Sequence, residues 1–152
     1  MVRTRQAMTA GALALVLAAC ESTATDPTAA LVPQGVVADH STFPHEVAPL
    51  LERRCGDAMC HGRPERPYAL YAAGARRIDP SDTFKKTPLT VAEVEWNYLS
   101  TMGFVDSAAP RATPLVQKAI GHLGHKGGPV FAAPSDPECQ ALTDWLSGEV
   151  PR

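Results

Sequence analysis

The feature that most constrains this chain is a short stretch in which two cysteines and a histidine lie close together. Residues 55–62 read Cys-Gly-Asp-Ala-Met-Cys-His-Gly, so four residues separate Cys55 from Cys60, and His61 follows directly. Thiol and imidazole groups at such close spacing are typical of sites that hold a metal or a metal-bearing cofactor. The other segments of the chain are therefore interpreted in relation to this stretch.

The Cys-His-Gly ending is typical of a c-type haem attachment site, in which two thiols bond the porphyrin and the adjacent imidazole binds the iron. The usual motif has two residues between the cysteines, whereas this chain has four. With these residues the chain resembles a cytochrome c domain over about residues 43–148, in a variant found in some bacterial multihaem and lipoprotein cytochromes. The resemblance implies an all-α fold around one covalent haem c, with Cys55 and Cys60 as attachment sites and His61 as the proximal iron ligand.

The beginning of the chain predicts a bacterial lipoprotein signal peptide. Two arginines precede an apolar run over residues 7–17, which is too short to span a bilayer comfortably and leads into Leu-Ala-Ala-Cys at residues 17–20. This ending is similar to a lipobox, which implies that residues 1–19 are removed and that Cys20 becomes a lipidated N-terminus. The alternative is an ordinary cleaved signal peptide. Lipidation would anchor the protein to a membrane without spanning it.

The segment after the lipidation site predicts both a location and a tether. Glu21 follows the cysteine, and resemblance to lipoprotein sorting signals then favours the outer membrane, with the protein facing the periplasm. Residues 20–38 contain no aromatic residue and no sustained hydrophobic period, which predicts a flexible tether. Residues 39–152 form the predicted cytochrome c-like domain. The formal net charge of −2 argues against a nucleic-acid-binding surface.

Short helices separated by loops are expected from the 14 prolines and 11 glycines among 152 residues. Hydrophobic spacing and capping signals predict four helices, over about residues 44–54, 90–101, 114–121 and 137–147. In the second of them, Thr90 and Glu93 have the spacing of a capping box. Its apolar face is expected at Val91, Val94, Tyr98, Leu99 and Met102. The polar segment before it, residues 74–88, is predicted to be an irregular surface loop.

A glycine-rich loop before the last helix carries two histidines, His122 and His125. In cytochrome c domains the distal iron ligand commonly lies in this loop, so the resemblance favours His125 as the second metal ligand. Its neighbours Gly127 and Gly128 would let the backbone approach a porphyrin closely. His122 and Met102 remain competitors, although Met102 also suits packing in the core.

The role of Cys139 stays open. Its place on the apolar face of the last helix suits a buried free thiol. It could instead form a disulfide with Cys55 or Cys60, which would make the chain a haem-free, disulfide-stapled lipoprotein that binds a partner or substrate in the cell envelope. A zinc site is the other alternative, with Cys55, Cys60 and His61 joined by His125 or Cys139.

No serine lies in a nucleophile-elbow pattern, and neither a phosphate-binding loop nor a paired-carboxylate motif is present. We therefore expect an electron carrier rather than a catalyst. Its expected partners are a redox protein, which the sequence does not identify, and the membrane that the N-terminal lipid would enter.

Overall fold

The computed structural model describes residues 38–106 and 108–148. The predicted signal peptide, the predicted lipidation site Cys20 and residues 20–37 of the predicted tether lie outside the described residues.

Five α-helices form the described part of the chain: α1 Phe43–Glu46, α2 Ala48–Cys55, α3 Val91–Met102, α4 Pro114–Ala119 and α5 Pro137–Leu146. Two short 3₁₀ turns, Pro80–Asp82 and Pro110–Ala112, lie in the connections. No β-strand occurs in residues 38–106 or 108–148. The prediction of an all-α protein with long loops is confirmed for these residues.

The prediction of one helix over residues 44–54 is wrong, because the chain forms two helices with a break at Val47. Pro44 and Pro49 each lie in the first turn of a helix, where the missing proline N–H removes no intrahelical hydrogen bond. In a continuous helix Pro49 would stand in the interior and leave a carbonyl unpaired. The second of the two helices ends at Cys55, which is buried.

Helix α3 begins with the predicted capping box, since the Thr90 side chain accepts from the Glu93 N–H and Glu93 in turn accepts from the Thr90 N–H. The predicted apolar face is wrong at Val91, whose side chain is 88% exposed. Glu93, Asn97 and Thr101 are instead buried beside Tyr98 and Met102. A polar buried face was not expected from hydrophobic spacing.

The buried polar face of α3 has partners in the preceding loop, so the prediction of a surface loop over residues 74–88 is wrong at Ala75 and Arg77, which are buried, whereas residues 78–88 are exposed or partly exposed. Arg77 is buried there and forms an ion pair with Glu93 through two hydrogen bonds of 2.9 Å. Asn97 pairs with both the N–H and the carbonyl of Tyr71. The loop is thereby fixed to α3, and the residues that follow His61 are held in place.

Helices α4 and α5 begin where the sequence predicts, at Pro114 and Pro137, and their N-caps are Thr113 and Asp136. Helix α5 packs against α1, where the rings of Phe43 and Trp145 have centroids 5.4 Å apart. The Trp145 indole N–H also donates to the carbonyl of Asp39 at 3.0 Å. The first and last helices therefore form one side of the core.

Candidate functional site

The chain between the two cysteines folds into a compact turn that is closed by backbone hydrogen bonds. The carbonyl of Asp57 accepts from the N–H groups of Cys60 and Gly62, both at 2.9 Å, and the N–H of His61 donates to the carbonyl of Cys55 at 3.1 Å. The Asp57 carboxylate also accepts from the N–H of Met59. The turn returns the chain to the end of α2, so the longer spacing does not separate Cys60 and His61 from Cys55.

Cys55, Cys60, His61 and His125 all line one open cavity of about 500 Å³. Its walls are largely apolar, and the side chains that form them include Leu51, Tyr68, Phe104, Leu115, Phe131 and Leu142. This volume lies within the range of about 300–1,000 Å³ that is usual for cofactor and ligand sites. The structure thus brings the four side chains predicted to hold a haem to the wall of one cavity.

His61 is oriented by a hydrogen bond of 2.7 Å between its Nδ1 and the carbonyl of Tyr68. Because a carbonyl oxygen only accepts, Nδ1 must carry the proton, and the neutral ring keeps its lone pair on Nε2. Burial lowers the pKa of His61, and the charges of His125 and Arg66 lower it further, against the raising effect of the Tyr68 carbonyl. These effects favour the neutral imidazole, which is the form that binds a metal.

His125 has the same arrangement in a different loop. Its Nδ1 lies 2.6 Å from the carbonyl of Gly128, so its Nε2 is likewise the atom with a free lone pair in the neutral ring. Gly128 adopts φ +78°, a left-handed conformation that glycine accepts without steric cost. The tight turn that it forms directs this carbonyl back toward the His125 ring.

The two imidazole rings lie close together at the cavity. The ring centroids of His61 and His125 are 5.9 Å apart, and the ring planes differ by 13°. Each ring uses Nδ1 for a hydrogen bond to a backbone carbonyl, which leaves Nε2 as the nitrogen that could bind a metal. In their donor chemistry these two residues fit a metal-bearing cofactor.

The two competitors for the distal position lie elsewhere. His122 is exposed, and its ring contacts the Gln117 side-chain oxygen at 3.3 Å without lining the cavity. Met102 is buried in the hydrophobic core and also does not line the cavity. Met59, by contrast, lies at the cavity mouth with its side chain 72% exposed. Of the three candidates for the distal position, His125, His122 and Met102, only His125 lines the cavity together with His61.

The three described cysteines are free thiols in different environments. Cys55 is buried, and burial together with the nearby Cys60 raises its pKa to about 12, so its thiol stays protonated at neutral pH. Cys60 is exposed at the cavity. Cys139 is buried on α5 away from the cavity, and burial raises its pKa. The disulfide considered between Cys139 and Cys55 or Cys60 is not formed in this structure.

The zinc alternative lacks a preformed ligand cluster. Within residues 38–106 and 108–148, no group of three or more His, Cys, Asp or Glu side chains is arranged to hold a metal ion. Two imidazole nitrogens do not by themselves complete the four-ligand set of zinc, and they would suit a metal that brings further ligands of its own, as an iron porphyrin does.

Sequence reasoning did not find the positive charges at the cavity, which belong to Arg66, Lys118 and Lys126. They come from three separate segments, and no spacing in the sequence relates them.

None of the helices in the described part of the chain is long and apolar enough to cross a membrane. Comparison of the chain with protein-family models, with curated proteins and with solved structures found no match.

Proposed function

We propose that this protein is a membrane-anchored c-type cytochrome that carries one covalently bound haem for electron transfer. The observation that carries the proposal is that His61 and His125 line one largely apolar cavity, each with Nδ1 hydrogen-bonded to a backbone carbonyl, and that Cys55 and Cys60 line the same cavity. When bound, the haem supplies an iron that changes valence by one electron.

In this proposal each residue at the cavity has one role. Cys55 and Cys60 would hold the porphyrin covalently, and His61 and His125 would supply nitrogen ligands to its iron. The carbonyls of Tyr68 and Gly128 fix the tautomer and orientation of the two rings. Because two side chains of the chain would bind the iron, exchange of electrons would be favoured over binding of an external substrate, and two imidazoles would give a lower reduction potential than imidazole with thioether.

The cellular setting is part of the same proposal and rests on the sequence. The apolar run and its Leu-Ala-Ala-Cys ending favour a lipid on Cys20, and Glu21 favours the outer membrane with the domain facing the periplasm. The tether over residues 20–38 would let the domain reach a redox partner protein away from the lipid surface. An oxidising periplasm also leaves Cys139 best protected as a buried thiol.

The decisive experiment is a haem stain after denaturing electrophoresis of the membrane fraction, because only covalent haem survives denaturation. We expect staining of the wild type and of Cys139→Ala, in which the changed thiol lies outside the cavity. Cys55→Ala and Cys60→Ala should each stain more weakly, and Cys20→Ser should leave the membrane fraction. A wild-type protein without stain would overturn the proposal and leave the haem-free binding domain as the alternative.

Absorption spectra of the purified full chain then test the axial ligands. His61→Ala and His125→Ala should each convert a low-spin spectrum to a high-spin one, because each removes a strong-field nitrogen ligand. His122→Ala is the matched control from the same loop and should keep the wild-type spectrum. If His122→Ala loses the low-spin spectrum and His125→Ala keeps it, His122 is the distal ligand and the assignment to His125 is wrong.

A further inference from the structure

The backbone that follows the loop of His61 is fixed to helix α3 by side chains of that helix. Asn97 pairs with both the N–H and the carbonyl of Tyr71 at 2.8 Å. One turn further along α3, the Ser100 hydroxyl donates to the carbonyl of Ala69 at 2.9 Å. Helix α3 therefore sets the course of this backbone through hydrogen bonds rather than through apolar contact alone.

Tyr68 begins the same segment and contacts His61 in two ways. Its carbonyl accepts from Nδ1 of His61 at 2.7 Å, and the centroids of the two rings lie 4.8 Å apart. The N–H of Leu70 also donates to the His61 carbonyl at 2.7 Å. A displacement of Tyr68 would therefore change the acceptor of Nδ1 and the packing of the imidazole at the same time.

The far end of the Tyr68 side chain is anchored in α3 by a relay of two hydrogen bonds. The Tyr68 hydroxyl lies 3.1 Å from Oγ1 of Thr101, and that Oγ1 donates to the carbonyl of Asn97 at 2.7 Å. A hydroxyl has one hydrogen, so Thr101 uses it on Asn97 and must accept from Tyr68. Because all three residues are buried, a lost partner in the relay would leave a polar group unpaired.

We propose that Thr101 is a positioning residue for His61 that acts through Tyr68: it holds the phenol, and the phenol holds the carbonyl that orients the imidazole. This inference rests on the proposed function, because it takes His61 as a ligand of the iron. The carbonyl that orients His125 belongs to Gly128, which has no side chain to be held in this way. Thr101 therefore tunes one of the two imidazoles.

The first test follows the imidazole protons in a haem-free chain. The full chain with Cys55→Ser and Cys60→Ser is labelled with ¹⁵N, and the tautomers of His61 and His125 are read from the ring nitrogen shifts at a pH where both rings are neutral. Thr101→Val should lower the ratio of the Nδ1–H to the Nε2–H tautomer of His61 about two- to tenfold, which is the worth of one hydrogen bond. His125 should keep its wild-type tautomer in the same spectra, because its acceptor lies in another loop.

Three further variants separate the relay from a general loss of packing. Thr101→Ser keeps the hydroxyl and should keep the wild-type ratio. Thr143→Val on α5 is the matched control, because the buried Thr143 hydroxyl also donates to a carbonyl of its own helix, that of Gln140 at 2.9 Å, and it should leave His61 unchanged. Tyr68→Phe breaks the relay from its other end and should lower the ratio as Thr101→Val does. The double variant should be no worse than either single change, because both remove the same hydrogen bond.

A second measurement uses the covalent holoprotein and does not depend on how the serine variant folds. The hydrogen bond from Nδ1 makes His61 a more basic ligand, which favours the oxidised iron. Thr101→Val and Tyr68→Phe should therefore raise the reduction potential, whereas Thr101→Ser and Thr143→Val should leave it unchanged. The positioning role is refuted if Thr101→Val has the potential of Thr143→Val, or if it changes the tautomers of His61 and His125 equally.

The outcomes distinguish this inference from the proposed function. A haem-stained protein whose reduction potential ignores Thr101→Val would refute the positioning role and keep the cytochrome. An unstained wild type in which Thr101→Val still shifts the tautomer of His61 would refute the cytochrome and keep Thr101 as the residue that orients His61 through Tyr68.

Discussion

Two regions of this molecule place polar groups inside the protein, and they treat those groups in opposite ways. Behind α3, the guanidinium of Arg77 donates to both carboxylate oxygens of Glu93, to the carbonyl and hydroxyl of Thr87, and to the carbonyl of Pro88. At the cavity, His61 and His125 each form one hydrogen bond, through Nδ1. The first region is complete within the chain, and the second leaves a nitrogen on each ring for something else.

The difference teaches which of the two regions is built for a ligand. Buried polar side chains in proteins almost always find partners, and none of the described side chains has a buried nitrogen or oxygen without one. A pair of half-buried imidazoles that are oriented but not saturated, beside two free thiols, is therefore informative. The saturated region behind α3 has its partners within the chain, whereas the region at the cavity keeps one nitrogen of each imidazole available to a ligand.

The largest effect is expected from breaking the saturated region with Arg77→Met, which keeps the length of the side chain but removes its charge. The Glu93 carboxylate would remain buried without its cation, and loss of one partner of a buried pair costs about 3–5 kcal/mol. Urea unfolding followed by circular dichroism should show a loss of this order. Arg63→Met, which breaks an exposed pair with Glu65, is the control and should change the stability little. A mild effect of Arg77→Met would mean that the region is not a buried ion pair in solution.

The same pair gives a pH dependence with a definite sign. The hydrogen bond from Arg77 and those from the Thr90 and Ile78 backbone lower the pKa of Glu93 from 4.5 to about 2 against the cost of burial. Because the folded-state pKa is depressed, the stabilisation is complete above the unfolded-state pKa and is lost as the pH falls from about 4.5 toward 2. Glu93→Gln should have a lower free energy of unfolding than the wild type at neutral pH. Because the variant has no carboxylate at this position, its stability should fall less than that of the wild type as the pH is lowered from about 4.5 toward 2.

The sequence allowed the elements that rest on local signals to be predicted, and it failed where distant segments meet. The capping box of Thr90 and Glu93, the start of α5 at Pro137 and the loop of His125 all depend on residues that are a few positions apart. Arg77 lies 16 residues before Glu93, with which it pairs, so its charge suggested a surface position. The cations at the cavity were missed for the same reason. Local chemistry indicates which residues could form a site, whereas tertiary packing decides which of them do.

A smaller effect is expected from tightening the two loops at the cavity, which differ in how closely they are packed. A Cβ at Gly62 would lie 2.3 Å from the carbonyl oxygen of Gly56 and 2.9 Å from Cβ of Ala75, so Gly62→Ala must displace backbone. We expect a stability loss of about 1–3 kcal/mol, as for overpacking elsewhere, and a weaker haem stain because Cys60 and His61 move with the loop. Gly124→Ala, where a Cβ would meet nothing within 4 Å, is the control in the other loop and should stain normally. Equal staining of the two variants would show that the turn of the cysteines is not needed for attachment.

The smallest effect is expected at Gly128, whose left-handed backbone conformation forms part of the His125 loop. Gly128 has φ +78°, and a Cβ there would touch nothing within 4 Å, so Gly128→Ala costs backbone strain alone, about 1–2 kcal/mol. The strain falls on the peptide whose carbonyl holds Nδ1 of His125. We therefore expect a melting temperature only slightly below that of the wild type, together with a partial high-spin signal in the absorption spectrum as His125 loses its orientation. Gly127→Ala has no left-handed φ to lose, and its Cβ would make only an ordinary contact of 3.5 Å with Cε1 of His125, so it should keep the low-spin spectrum. If the two alanine variants gave the same spectrum, the carbonyl of Gly128 would not be what positions the distal histidine.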